Sequence, residues 1–239
     1  MLNLSKFLVV DYSLDAMSVA VFDGGSCLLA DKAPSQQGKG ISLLKLIDQL
    51  LRRANVDKNS LKYIITTIGP GSFTAIRVSL TSVYALSQGL GIKIGGVNSL
   101  LALALAQEKT NSRIVPVVKA YQNEFYGAGF IINDYLPSEV FPPIACSAKE
   151  LSEKLLPGDI LCDEHKSLHE FIDYNDYKLG KLFDDINLAQ TLGTYAINSN
   201  ELALSFIRPA PLYLKIPFAQ ANFSKINKLK KQKWTCLNN

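Results

Sequence analysis

Apolar residues at the start of the chain follow the spacing of β-strands. Residues 6–12 are rich in strand-forming side chains, residues 17–22 alternate apolar with small side chains, and residues 26–33 follow the turn signal Asp23-Gly24-Gly25. Short runs of this kind, joined by glycine-containing turns, are typical of hairpins. The pattern therefore predicts three consecutive antiparallel strands.

The spacing then changes to that of helices. Apolar residues recur at three- and four-residue intervals from Leu43 to Leu51, with polar residues on the opposite side, which predicts an amphipathic helix. We expect a compact apolar strand at 62–68, a turn at 69–74, and a second helix at 75–90 that is closed by glycine at positions 89 and 91. The first half of the chain therefore has the predicted order βββαβα.

The second half repeats this order of elements without repeating the residues. Strands are predicted at 113–120, 124–132, 136–142 and 159–162, and helices at 148–156 and 186–198. The helices of a βββαβα unit cover both faces of a mixed sheet, and two units in tandem give an α/β protein with two lobes. This architecture resembles the tandem RNase H-like lobes of the actin, Hsp70 and sugar-kinase (ASKHA) superfamily.

A polar run at 107–112 separates the two predicted lobes. We therefore expect an N-terminal lobe at 1–107, a second lobe at 108–221 and a basic, flexible tail at 222–239. The tail contains five lysines and no acidic residue, whereas the rest of the chain has 20 basic and 21 acidic residues, and the net charge is +4. Such a tail could contact RNA phosphates, but the charge pattern alone favours a solvated chain end.

The composition is that of a globular protein, with 48% hydrophobic and 19% charged residues. Four cysteines lie far apart, which argues against a C-x-x-C pair or a dense disulfide framework and predicts reduced thiols. The longest uncharged apolar stretch, 94–107, has 14 residues, fewer than the roughly 18 that suggest a membrane span. We expect residues 2–10 to be a buried strand and not a secretory leader, because no small-residue cleavage site follows. These features predict a cytoplasmic protein.

The loop from Gly69 to Thr74 lies between a predicted strand and a predicted helix. Its glycines permit a close backbone approach, Pro70 stiffens the turn, and Ser72 or Thr74 can cap the helix. Backbone N–H groups at a helix N-terminus suit an anion, but the Gly-Lys-Ser/Thr ending of a Walker A loop is absent. The residues alone favour a rigid connection over a phosphate-binding loop and leave both interpretations open.

Asp11 and Ser13 follow the first predicted strand. Active ASKHA phosphotransferases have a metal-coordinating carboxylate here and a second one at the first strand of the other lobe. The corresponding strand of this chain carries Lys119 instead, and a cation disfavours a Mg²⁺ site. Asp11 is therefore either the cap of a turn or, with Ser13, a vestigial nucleotide contact.

His165 and His169 are four residues apart, so on a helix they would share one face and could bind a metal. The spacing lacks the internal glutamate of a metalloprotease motif, and a solvated surface is favoured. The sequence also contains no G-x-S-x-G element that would indicate a hydrolase. We therefore predict no catalytic residue, no metal and no cofactor.

Five segments resemble the TsaB (YeaZ) family. They are FLVVDYSLDAMSVAVF at 7–22, GPGSFTAIR at 69–77, GIKIGGVNSLLALA at 91–104, AYQNEFYGA at 120–128 and PLYLK at 211–215. The most specific is GPGSFT followed by a small residue, an aliphatic residue and Arg77. Tyr12, Ala75 and Lys119 replace the Thr, Gly and Asp of the family pattern, and each change leads away from a nucleotide site.

The resemblance implies a non-catalytic subunit of the complex that makes threonylcarbamoyladenosine on tRNA. It implies that this subunit pairs with TsaD, that the ATPase TsaE visits the pair, and that tRNA is contacted only indirectly or through the basic tail. Small side chains on the second helix would let partner helices approach closely. The residues placed at this contact are Leu43, Leu44, Ile47 and Leu51 from the first helix, and Ser79, Ser82, Val83 and Leu86 from the second.

An enzymatic alternative stays open at the level of sequence. It is an ATP-dependent phosphotransferase or ATPase of the same fold that uses Asp11 and the Gly69–Thr74 loop. A peptidase has little support, because no nucleophile and base are paired by any motif. Self-association through the two helices and a nucleotide at the seam with TsaD are also left open.

Overall fold

The computed structural model describes residues 5–34, 42–107, 110–120, 123–163, 166–199 and 209–215. The predicted tail at 222–239 and His165 lie outside these residues. Within the described ranges, no helix has the length and hydropathy that a membrane crossing requires.

The first half of the chain forms a five-stranded sheet in the order β3-β2-β1-β4-β5. Its strands are β1 (Phe7–Asp11), β2 (Ala16–Asp23), β3 (Ser26–Pro34), β4 (Tyr63–Thr67) and β5 (Lys93–Val97). The first three strands pair antiparallel, whereas β4 and β5 join parallel to β1. Every residue of β1 and β4 is buried, because helices cover both faces of the sheet.

Three helices accompany this sheet: α1 (Leu43–Arg53), α2 (Phe73–Leu90) and α3 (Ser99–Leu105). The Ser42 hydroxyl caps α1 by accepting the Lys45 N–H at 3.3 Å. Gly91 ends α2 in the left-handed conformation, with φ of +66°. The predicted elements of this half are present, and β5 and α3 follow them as elements that were not predicted.

The second half builds a sheet with the same connectivity, in the order β10-β9-β6-β7-β8. Its strands are β6 (Thr110–Lys119), β7 (Glu124–Asn133), β8 (Leu136–Ser147), β9 (Ile160–Cys162) and β10 (Lys178–Leu179), and its helices are α4 (Ala148–Ser152) and α5 (Leu188–Asn198). Three strands again pair antiparallel and two join in parallel. The predicted α/β fold, with two halves that each contain a mixed five-stranded sheet, is confirmed.

Two predicted boundaries differ from the structure by four residues or more. The strand predicted to end at Pro142 extends to Ser147, which an edge strand tolerates because the missing N–H groups of its prolines need not reach a neighbour. The helix predicted to reach Leu156 ends at Ser152, because the chain then tightens into i→i−3 hydrogen bonds. Asp159 accepts the Leu156 N–H at 2.8 Å and fixes this tightened turn.

Helix α5 packs on the sheet of the first half, although it lies in the second half of the sequence. It contacts β1, β2 and β3. A Cβ atom placed on Gly193 would lie 2.0 Å from the Phe22 ring, so the helix and the sheet approach closely. Residues from both halves consequently share one hydrophobic core cluster, which includes Phe7, Leu103, Ile114 and Leu192.

Candidate functional site

The Asp11 carboxylate lies at the end of β1 and is buried within a ring of donors. Its Oδ1 accepts hydrogen bonds from Ser13 Oγ at 2.6 Å and from Thr67 Oγ1 at 2.7 Å, and its Oδ2 accepts one from Ser18 Oγ at 3.4 Å. The Ser13 backbone N–H adds a further bond at 3.2 Å. Burial raises the pKa of Asp11, and the hydrogen bonds from Ser13 and Thr67 act in the opposite direction.

These contacts show what the carboxylate does in the fold. Asp11 joins β1 to β2 through Ser18 and to β4 through Thr67, while Ser13 closes the turn after β1. Ser18 Oγ also accepts the N–H of Ala189 at 3.0 Å and so extends the network to the start of α5. A metal ion would have to compete with these donors, three of which are bonded to Oδ1. Asp11 and Ser13 thus have the geometry of a capped turn.

A cavity of about 390 Å³ opens between the two lobes beside Asp11. The first lobe contributes Asp15 and residues 71–73 to its wall, and the second contributes Lys119 and Tyr126. Its size would admit a small ligand. Lys119, and not a carboxylate, stands at the end of β6, and this cation disfavours a Mg²⁺ site at that strand end. The carboxylates that the second half contributes to the wall are Asp163 and Asp184.

The Gly69–Thr74 loop is clamped onto the turn after β1. The Ser72 N–H donates to the Ser13 carbonyl at 2.8 Å, and a Cβ atom on Gly71 would lie 2.0 Å from that same oxygen. Gly69 has φ of +99°, and its carbonyl accepts the Ser99 N–H at 2.9 Å. The Ser72 hydroxyl makes no capping bond to α2. Of the two interpretations of this loop, the geometry supports the rigid connection.

Beyond Thr74, the same motif meets a distant segment at the surface. The Arg77 guanidinium carbon lies 3.7 Å from the centroid of the Phe73 ring, and its Nε donates to the Tyr213 hydroxyl at 2.9 Å. The centroids of the Phe73 and Tyr213 rings are 5.1 Å apart. We call Phe73, Arg77 and Tyr213 the Arg77 cluster. Tyr213 was missed as a site residue, because nothing in the spacing shows that residues 211–215 return to α2.

The predicted partner-contact residues divide into two groups. Leu44 is 48% exposed, and Ser82 and Leu86 are half-buried. The other five are buried inside the first lobe and cannot present their side chains to a partner: Leu43, Ile47, Leu51, Ser79 and Val83. Their assignment is corrected, because the apolar stripe of each helix packs on its own sheet.

The outward side of α2 carries different residues. Its exposed positions include Thr74, Arg77, Val78, Thr81 and Ala85, which we call the α2 outer face. Arg77 is the only charged residue of the helix. The helical period could have identified this face, since it lies opposite the buried stripe, but both sides are small or apolar and the contrast is weak.

Of the two predicted histidines, His169 is within the described residues and His165 is not. The His169 side chain is exposed, and its Nδ1 lies 3.2 Å from the Lys166 carbonyl. Across the residues that the structure covers, no group of three His, Cys, Asp or Glu side chains could hold a metal ion. Cys162 is buried, and burial raises the pKa of its thiol.

Sequence comparisons match this chain to TsaD and TsaB proteins. The TsaD family model, described as tRNA N6-adenosine threonylcarbamoyltransferase, matches residues 39–157. A TsaB protein of Buchnera aphidicola subsp. Schizaphis graminum is 29% identical over 131 residues, which cover 54% of this chain and 62% of that protein. The TsaB protein of Haemophilus influenzae is 30% identical over 122 residues, covering 50% and 51%. The matches thus span little more than half of the length of these relatives.

Solved structures show the same fold. A Pseudomonas aeruginosa protein described as similar to peptidase YeaZ superposes with a TM-score of 0.75 at 19% identity, covering 89% of this chain and 100% of that chain. YeaZ from the same organism gives 0.68 at 20% identity, covering 81% and 91%. The GPGSFTAIR segment lies in the β4–α2 connection, and the relatives named TsaB together with the YeaZ structures support assignment of the chain to the TsaB (YeaZ) family.

Proposed function

We propose that the chain is a non-catalytic subunit in the synthesis of threonylcarbamoyladenosine on tRNA, and that it binds and activates TsaD through α1 and α2. The observation that carries this proposal is the α2 outer face, an exposed helix surface with small and apolar side chains and a single charge. The relatives named as tRNA threonylcarbamoyladenosine biosynthesis proteins support the pathway.

The match to the TsaD family model supports the choice of partner. The matched residues, 39–157, contain both α1 and α2. A TsaD protein is therefore expected to present two helices of the same type, and four helices could pack across a pseudo-twofold axis. Since an interface of this kind needs close approach, the small side chains Thr74, Thr81 and Ala85 favour it.

Exposed apolar side chains on both helices supply a driving force. Val78 on α2 is 42% exposed and Leu44 on α1 is 48% exposed, and the two helices pack side by side. Burial of what remains exposed of each side chain contributes about 1 kcal/mol. Leu86 and Ser82 lie at the edge of the same surface and are half-buried.

The network around Asp11 supports the absence of catalysis. Its oxygens are occupied by Ser13, Ser18 and Thr67, and Lys119 stands at the end of β6, where a second carboxylate would be needed. In this proposal the residues around Asp11 have a structural role, and the threonylcarbamoyl group is transferred to tRNA by TsaD.

The proposal extends to the setting in which the pair works. The N-terminal lobe, 1–107, would carry the interface with TsaD, and the second lobe, 108–221, would lie outside it. The ATPase TsaE would bind this pair transiently. Contact with tRNA would be indirect or through the basic tail, in the cytoplasm.

Reconstitution of the modification tests the function. Threonylcarbamoyladenosine formation on tRNA is measured with cognate TsaD, TsaE and an adenylate source, with and without this chain. Val78→Glu should abolish the stimulation, because a carboxylate would be buried in the interface. Val140→Glu is the matched control, since Val140 is 45% exposed on β8 of the second lobe. Stimulation by Val78→Glu equal to that of the control would contradict the interface.

The cavity beside Asp11 favours one alternative, an ATP-dependent phosphotransferase or ATPase. It is lined by Asp11, Gly71 and Ser72, which are the elements that such an enzyme would use. Calorimetry of the isolated chain with Mg-ATP decides between the two. Binding that disappears in Asp11→Asn would favour the enzyme, and the absence of heat under conditions where TsaD binds would favour the subunit.

A further inference from the structure

Arg77 differs from the other arginines that the structure describes. Three of the four described arginines have a carboxylate partner within the chain, in the pairs Arg52–Asp48 at 2.9 Å, Arg53–Asp31 at 2.6 Å and Arg113–Asp159 at 2.5 Å. Among the described residues, no carboxylate lies within 4.0 Å of the Arg77 guanidinium. Its charge is therefore not paired within the described part of the fold.

The side chain is nevertheless held in place. The Phe73 ring supports the guanidinium plane at 3.7 Å, and the Tyr213 hydroxyl accepts the Nε hydrogen at 2.9 Å. Tyr213 is in turn fixed by its neighbour Leu212, whose N–H donates to the Ile68 carbonyl at 2.8 Å. Because the rotamer is fixed in advance, little side-chain entropy remains to be lost on binding.

The terminal amino groups, Nη1 and Nη2, stay available as donors. Within the described residues, no acceptor bonds to either of them. Two parallel N–H groups on a planar fork match the two oxygens of a carboxylate. The rest of the α2 outer face is uncharged. A partner that covered this face without offering a carboxylate would leave the Arg77 guanidinium buried and unpaired, which is unfavourable.

We propose that Arg77 determines the specificity of the TsaD contact by receiving a carboxylate side chain of the partner on Nη1 and Nη2. Phe73 and Tyr213 are positioning residues that hold the guanidinium for this contact. The inference rests on the proposed function, and it explains why the motifs at 69–77 and 211–215 meet at the start of α2. Arginine in such a surrounding is typical of an interface hot spot.

Dissociation constants with cognate TsaD test the role of Arg77. Arg77→Ala should weaken binding by about 30-fold or more, and Arg77→Lys should recover only a small part, since it loses both the stacking and the paired donors. Tyr213→Phe should weaken binding by about 3- to 10-fold, because it frees the guanidinium without removing it. Lys149→Ala, which removes an exposed charge from α4 of the second lobe, is the matched control and should bind like wild type.

Charge reversal on both proteins identifies the carboxylate of TsaD that binds Arg77. Arg77→Glu is combined with single Asp→Arg or Glu→Arg changes on TsaD, and one of these should restore binding. Inorganic phosphate, added at constant ionic strength, serves as the competing anion. Restoration by none of the reversals, together with competition by phosphate that Arg77→Ala abolishes, would identify a phosphate ligand and overturn the proposal.

The failure of this inference and that of the proposed function are distinguishable. If Arg77→Ala binds TsaD as tightly as wild type, the role of Arg77 is wrong and the helix interface is untouched. If wild type itself does not bind TsaD, the proposed function fails. Circular dichroism and thermal unfolding of Arg77→Ala confirm in either case that the variant is folded.

Discussion

The Thr67 hydroxyl donates a hydrogen bond of 2.7 Å to Asp11 Oδ1, linking the ends of the parallel strands β4 and β1. The Gly69–Thr74 loop begins two residues after Thr67 and returns to the turn after β1, where the Ser72 N–H donates to the Ser13 carbonyl. Asp11 thus stabilises the ends of the two strands that precede α2. Stability of the fold should therefore depend on Asp11.

Removal of the Asp11 carboxylate should destabilise the protein. Asp11→Ala leaves the hydroxyls of Ser13, Ser18 and Thr67 without their acceptor, so we expect the free energy of unfolding to fall by about 2–4 kcal/mol. Urea denaturation measures the change. Asp15→Ala, at an exposed residue that also lines the cavity, should change stability by less than about 0.5 kcal/mol. Equal stability of the two variants would refute the structural role.

The raised pKa of Asp11 predicts a pH dependence. Because burial raises the folded-state pKa above the ordinary value of 3.8, the folded protein binds more protons than the unfolded chain between the two pKa values. Stability relative to Asp11→Asn should therefore be highest below pH 3.8 and fall by about 1.4 kcal/mol per pH unit through that window. Unfolding of both proteins across this pH range measures the difference, and an increase with pH would show the opposite shift.

The close approach of Gly71 to Ser13 predicts a strong effect of one methyl group. Gly71→Ala would place a Cβ atom 2.0 Å from a backbone oxygen, so the loop must move and stability should fall by about 2 kcal/mol or more. Gly89→Ala is the control, since nothing lies within 4 Å of the added atom. Gly89 is the second-last residue of α2, and because alanine favours helical backbone more than glycine does, this variant should be more stable by up to about 1 kcal/mol. Thermal unfolding of the pair distinguishes the sites, and equal behaviour would disprove the clamp.

The ion pair between Arg113 and Asp159 should stabilise the second lobe. It is almost buried, with bonds of 2.9 and 2.5 Å, and Arg113 also donates to the Lys154 carbonyl. Arg113→Met should lower the free energy of unfolding by about 3–5 kcal/mol, because it leaves a buried carboxylate unpaired. Lys6→Met breaks the half-exposed pair with Asp23 and should change the free energy of unfolding by less than about 1 kcal/mol. Comparable losses in the two variants would contradict the burial argument.

The sequence predicted elements wherever one periodicity continued long enough. The strand-forming side chains of β1 and β2 were a clear signal, since these strands are buried on both faces of the sheet. The stripe from Leu43 to Leu51 was equally clear, since one side of α1 is buried. By contrast, β5 contains Gly95 and Gly96, which carry no side-chain signal, and α3 has only 7 residues. A Cβ atom on Gly96 would lie 2.7 Å from Pro209, a contact that no local pattern reveals.

The sequence predicted the Gly69–Thr74 loop of the candidate site, but it did not predict the α2 outer face or the Arg77 cluster. The glycines of 69–74 indicated a close approach, and the structure shows that Ser13 is what they approach. The partner-facing side of α2 was predicted incorrectly, because a serine is usually expected at the surface. Ser79 is instead buried, and its Oγ lies 3.2 Å from Thr66 Oγ1. The Arg77 cluster depends on Tyr213, which lies 136 residues away in sequence. Only tertiary packing decides such contacts.

The dissociation constant between this chain and cognate TsaD, measured by titration calorimetry for wild type, Val78→Glu and Val140→Glu, tests the central claim most directly. We predict that wild type and Val140→Glu bind alike and that Val78→Glu binds at least about 100-fold more weakly, because it would bury an unpaired carboxylate. Equal binding by all three folded proteins would show that the α2 outer face does not contact TsaD.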